Sequence, residues 1–169
     1  GSVSWDSNSA TRRTRNPYSD YGYYFLTEDN AGNPASISDS TTFLNSFYPS
    51  ANDYHSLHEV DNFSWFNGGR NLFEETPLKL NESKVFTLKN KAKASTGILT
   101  VAITTGEYTS TIKVEANGKE LGEIHIAPGD SFDKGYEVIR DYAVSNLQSV
   151  DSIRLTTISG GPTRLDYLT

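Results

Sequence analysis

The chain has 169 residues, a formal net charge of −6, and neither Cys nor Met. The acidic balance argues against sequence-independent nucleic-acid binding, which needs clustered Lys and Arg to displace counterions. The absence of Cys excludes a disulfide framework, a thiolate metal site and a cysteine nucleophile within these residues, and no apolar run approaches the roughly 20 residues that span a bilayer.

The opening Gly1-Ser2 and the lack of Met make the chain read as one compact unit excised from a longer protein, and no signal-peptide pattern precedes it. Residues 1–19 are polar, with Arg12, Arg13 and Arg15 close together, and are expected to form a solvated arm. The aromatic run at 21–27 predicts a strand. Asn30 to Pro34 supply turn chemistry, because Gly and Asn tolerate positive φ. Residues 35–40 then read as a returning strand, and 41–50 as a strand end or a single helical turn closed by Pro49. Residues 54–60 read as a strand, and 61–76 as an irregular loop with Trp65, Phe66, Arg70, Leu72 and Phe73. Residues 20–76 are thus expected to add strands and an aromatic loop to a sandwich over 77–169.

From Pro77 the pattern is regular. Strands are predicted over 84–88, 98–104, 111–116, 121–127, 136–144, 150–158 and 164–168. In 98–104, Leu99, Val101 and Ile103 take one face, and Thr100, Ala102 and Thr104 the other. Asn117-Gly118 is the strongest hairpin signal, since a type I′ turn needs positive φ at both central residues. Leu121 and the pair Ile124/Ile126 have opposite parity, which predicts a bulge near Gly122. No segment holds helical apolar periodicity beyond about two turns. Short strands at roughly 8–12-residue spacing argue for an all-β, antiparallel, jelly-roll-like sandwich.

Candidate chemistry is sparse. His55, His58 and Glu59 lack zincin spacing, and residues three apart on a strand point to opposite faces, so no shared metal is expected. Glu74 and Glu75 could do acid/base work only if buried together. No P-loop, dinucleotide fingerprint or nucleophile elbow is present, and Asp6 to Asn8 lack the rest of a calcium loop. No cofactor and no catalytic residue are expected. Trp5, Tyr48, Tyr54, Trp65 and Phe66 could stack on sugar rings or bases if exposed.

Three blocks carry a resemblance: NPYSDYGYYFLT at 16–27, HEVDNFSWFNGGRNLFE at 58–74, and DSIRL with GGPTRLDY at 151–155 and 160–167. In this order they resemble the non-catalytic region preceding the peptidase domain of gingipain-type secreted cysteine peptidases, in particular the PorU-like type IX secretion sortases of Bacteroidetes. The chain departs from that pattern with Asn67-Gly68-Gly69-Arg70 where the family has Ser-Gly-Arg, and with Leu72-Phe73-Glu74 where it has Trp and Gly-Glu. Those departures leave open a related peptidase other than a sortase. The resemblance implies an exported, outer-membrane-associated accessory domain whose catalytic Cys and His lie downstream. Its partner would be that peptidase domain, with a cell-surface protein or glycan as the alternative. Trp65, Phe66 and Arg70 are the expected contact residues. Arg70 would either clamp a neighbouring domain through a carboxylate or pin its own loop. A carbohydrate-binding or adhesion module is the competing reading, on the strength of the aromatic supply.

Overall fold

The computed structural model describes residues 3–5, 13–15, 54–66, 72–106, 108–129 and 134–169, the first two segments as backbone alone. The chain divides into two compact units, Gly1–Asp53 and Tyr54–Thr169. In the first, β1 (Val3–Trp5) pairs antiparallel with β2 (Arg13–Arg15), Val3 opposite Arg15, inside the stretch expected to be a solvated arm. The strands and turns expected over 21–50 lie outside the described residues.

The second unit is an antiparallel β-sandwich. It comprises β3 (His58–Glu59), β4 (Ser83–Lys89), β5 (Gly97–Thr105), β6 (Ser110–Ala116), β7 (Lys119–Ile126), β8 (Tyr136–Val144), β9 (Val150–Gly160) and β10 (Thr163–Leu168). One sheet has the order β3-β10-β5-β8 and the other β4-β9-β6-β7. The pairs β6–β7, β5–β8, β4–β9 and β3–β10 nest one outside another, so the unit is a single antiparallel ribbon folded into two sheets. This is the jelly-roll order, and the all-β fold expected from the sequence is the one found. Among the described residues there is no helix, and none long and apolar enough to cross a membrane.

The innermost turn of the ribbon is Asn117-Gly118, with φ of 50° and 79°, as a type I′ hairpin requires. The bulge expected beside it is present. Val114 faces Gly122 and Glu115 faces Glu120, leaving Leu121 as the extra residue. That single insertion resets the parity, so Leu121 packs at the edge of the core while Ile124 and Ile126 point fully into it.

The core lies between the sheets. Leu99, Val101 and Ile103 of β5 meet Ile112, Val114 and Ala116 of β6, Ile153 and Leu155 of β9, and Leu165 and Leu168 of β10. Leu165 and Leu168 both point inward because a second bulge, at Asp166, shifts the register between Leu165 and Tyr167. Gly160 has φ 86°, and a Cβ there would sit 1.8 Å from the carbonyl oxygen of Thr109, so the end of β9 admits glycine alone.

One expectation needs correction. The strand predicted over 54–60 shrinks to His58 and Glu59, which pair with Leu168 and Tyr167. The ladder goes no further because β10 bulges at Asp166 and ends at Leu168, leaving 54–57 without a strand to pair with. The other face of β5, Thr100, Ala102 and Thr104, is wholly buried as well.

Candidate functional site

Residues 72–78 run beside the edge of β10 that does not pair with β5, and Phe73 ties residues 62–63 to them. Phe63 and Phe73 exchange backbone hydrogen bonds (2.9 and 2.8 Å), the Glu74 amide donates to the Leu165 carbonyl (2.8 Å), and Leu78 bridges to Thr163. Backbone pairing thus holds both ends of the aromatic loop on β10.

The loop is pinned by a side chain that sequence reasoning did not single out. The Arg164 guanidinium lies 3.5 Å from the Phe63 ring centroid and 5.6 Å from that of Trp65. Its Nη1 donates to the carbonyl of Glu74 (2.9 Å) and to that of Glu75. Phe63 and Trp65 meet edge to face at 5.2 Å. Burial pulls the Arg164 pKa down from its ordinary value, opposed by the nearby Glu75 carboxylate. Aromatic faces and carbonyl oxygens replace the lost water, so the charge is retained. Arg70 itself lies outside the described residues. The signal for Arg164 was within reach: it stands in GGPTRLDY, on a strand whose next residues, Leu165 and Tyr167, are core-like.

Trp65 packs onto bare backbone. A Cβ at Gly106 or at Gly135 would come within 2.9 and 2.3 Å of the indole, so glycine at the end of β5 and before β8 makes the seat for this ring. Trp65 is half-buried and Phe66, one residue on, is exposed. Two further aromatics reach the same end of the sandwich. Tyr108, in the β5–β6 connection, lies across Gly161, and Tyr136 begins β8 opposite Thr105. Phe66, Tyr108 and Tyr136 are 46, 59 and 53% exposed. Tyr54 stands apart, beside Lys91 after β4, at the opposite end. The side chains of Trp5 and Tyr48 are outside the described residues.

The titratable groups form separate small networks. Glu74 is buried. It accepts from Lys84 and pairs with His58 Nε2 at 2.8 Å, and the His58 ring leans on Phe86 at 4.9 Å. Glu75 is exposed, so Glu74 and Glu75 do not work as a pair. His125 lies on the open face of the other sheet, 3.1 Å from the Thr111 hydroxyl and 3.6 Å from Glu123. A hydroxyl, an imidazole and a carboxylate meet there, but on a flat solvated strand pair, where nothing excludes water from a reacting group. Glu59, Asp61 and Asp166 bring carboxylate oxygens within 4.8 Å of one another, a grouping that the bulge at Asp166 creates and that no sequence spacing announces. An all-oxygen set of this kind suits a hard cation.

No protein-family model matches the chain, and no curated protein matches it. Among solved structures, dimeric latent PorU from Porphyromonas gingivalis is similar over 66% of this chain, at 17% identity and a TM-score of 0.47. The chain spans 12% of that protein's length. A family 35 carbohydrate binding module from an environmental isolate is similar over 73% of this chain and 89% of its own, at 19% identity and a TM-score of 0.47.

Proposed function

We propose that this chain is a non-catalytic accessory β-sandwich that recognises a partner through its aromatic end. One observation carries the reading. Phe66, Tyr108 and Tyr136 stand exposed where β5, β8, β9 and β10 turn, next to a Trp65 held in place by Arg164 and glycine backbone. Rigid aromatic rings offer large contact area at small entropic cost, and such residues dominate binding hot spots. The partner we favour is the peptidase domain of an exported gingipain-type parent, supported by the three sequence blocks above. Tethering gives such a partner a high effective concentration, so a modest interface is enough. The second reading is a glycan at the cell surface, favoured by the same exposed rings, which could stack on sugar faces.

The test is calorimetric titration of the purified chain with the peptidase domain encoded after it in the parent gene, alongside a glycan array. Replacing Phe66, Tyr108 and Tyr136 together by Ala should weaken binding by about tenfold or more. Binding of the peptidase domain that survives the triple substitution unchanged would move the interface elsewhere. Silence in both arms would remove the recognition reading, and glycan binding alone would leave only the second.

A further inference from the structure

Asn117-Gly118 is one of two Asn-Gly pairs in the chain, with Asn67-Gly68. Such a pair is chemically labile because nothing on glycine shields its amide nitrogen. That nitrogen attacks the asparagine Cγ, the Cγ–Nδ2 bond breaks, and ammonia leaves with the proton to give a succinimide. Water then opens the ring to aspartate or isoaspartate. No oxidant or reductant is needed, and Gly118 is exposed, with open space where a side chain would stand.

The fold opposes this reaction. The Asn117 side chain is held at both of its polar atoms by residues distant in sequence. Nδ2 donates to the carbonyl of Asn146 (3.0 Å) and to Oδ1 of Asp151 (2.7 Å), and Oδ1 accepts from the Ser152 amide (2.9 Å). The Asn117 amide also donates to the Ser152 carbonyl at 2.8 Å. Swinging Cγ onto the Gly118 nitrogen would break all three side-chain bonds. The product would then fit badly. An aspartate here has no donor, and its carboxylate would face the Asn146 carbonyl and the carboxylate of Asp151, which is 4% exposed. Two carboxylates at that distance cannot both ionise without cost.

We infer that Asn117 is a modification site closed by the fold. It deamidates only when the innermost turn opens, and the product no longer fits the native structure, so a single excursion leaves a lasting chemical record. Opening this turn also breaks the contacts that tie it to Asn146, Asp151 and Ser152.

Mass-spectrometric peptide mapping of the full chain, folded and in urea at the same mildly alkaline pH, tests this with unaltered protein. Asn117 should convert about a hundredfold or more slowly when folded, because exchange-like chemistry then waits on a rare opening. In urea, Asn67 and Asn117 should convert at similar rates. Conversion of Asn117 as fast in the folded chain as in urea would overturn the inference. A second arm addresses the product. Asn117→Asp should lower the thermal midpoint, and adding Asp151→Asn should recover part of the loss by removing the opposing carboxylate. If Asn117→Asp is as stable as the parent, or the second change recovers nothing, the one-way character is wrong. The mapping arm decides on protection whether or not the variants fold.

Discussion

The two sheets differ in how many faces they hide. In β4-β9-β6-β7 the inner face is core and the outer face is wet: Val85, Thr87, Ser152 and Arg154 are exposed, and Lys113 and Glu115 lie half-exposed beside them. In β3-β10-β5-β8 the central strand β5 is buried on both sides from Leu99 to Thr105. Thr100 donates to Asp141 (2.8 Å) and Thr104 to the Tyr136 carbonyl (2.9 Å), so the polar atoms on the hidden face are satisfied within the sheet. Arg164, the neighbour of Thr104 across the β5–β10 ladder, is covered in turn by Phe63 and Trp65. Alternation in a sequence tells which residues share a face. It does not tell whether water lies beyond that face, and beside Thr104 the place of water is taken by Arg164 under Phe63 and Trp65.

The largest effect should follow from putting a charge on each face in turn. Ala102→Lys would place an unpaired ammonium on the covered face, beside Tyr167 and Ile139. We expect a loss of about 3–5 kcal/mol, the scale of a buried charge without a partner. Thr87→Lys, on the open face, should stay within about 0.5 kcal/mol of the parent. Urea denaturation of the two variants measures the difference. Equal tolerance would mean that the second face of β5 is not buried in solution.

The same contrast explains what the sequence made legible. The open sheet and its turn could be read almost residue by residue. Ile112, Val114 and Ala116 alternate with Lys113 and Glu115, Asn117-Gly118 demands a tight turn, and the parity break at Leu121 demands a bulge. Each of these signals is local. The covered sheet depends on partners far along the chain. Arg164 meets Phe63, and Glu74 meets His58, matches of shape and charge that no spacing encodes. One hint was present. The non-core face of β5 carries Thr, Ala and Thr, whereas that of β6 carries Lys and Glu, and small uncharged residues are what a covered face needs. Arg70, expected as a clamp because it stands inside the aromatic loop, lies outside the described residues. Among those described, the arginine that holds the loop's flanks is Arg164 of β10, adjacent to them only in the folded chain.

Removing this pin should sharpen the comparison at intermediate cost. Arg164→Ala deletes a cation between two rings and two donors to carbonyls, so we expect a loss of about 1–3 kcal/mol. Hydrogen exchange should quicken over 61–66 and 72–76 and remain unchanged in β6 and β7, because those strands belong to the other sheet. Arg164→Lys keeps the charge but cannot stack as a plane while reaching two carbonyls, so it should recover less than half of the stability. Full recovery by lysine would reduce the pin to a simple charge effect.

The smallest effect concerns the seam where the two sheets meet at β7 and β8. Tyr142 packs its ring 3.3 Å from where a Cβ of Gly122 would stand, in the space opened by the bulge. Its hydroxyl is buried and has no hydrogen-bond partner among the described residues. Burial raises its pKa above the ordinary tyrosine value, with Arg140 opposing and Glu123 adding to the rise. The folded chain therefore holds the phenol proton more tightly than the unfolded chain. That contribution is fully present below the ordinary tyrosine pKa of about 10 and is lost as pH climbs through the folded value. Tyr142→Phe should flatten this alkaline loss, and at neutral pH it should be neutral or stabilising by up to about 1 kcal/mol, because it removes a buried hydroxyl that gains nothing. Thermal melts of both proteins across neutral to alkaline pH give both readouts. A variant less stable than the parent at neutral pH would show that the hydroxyl has a partner, and that the seam is as well satisfied as the covered face of β5.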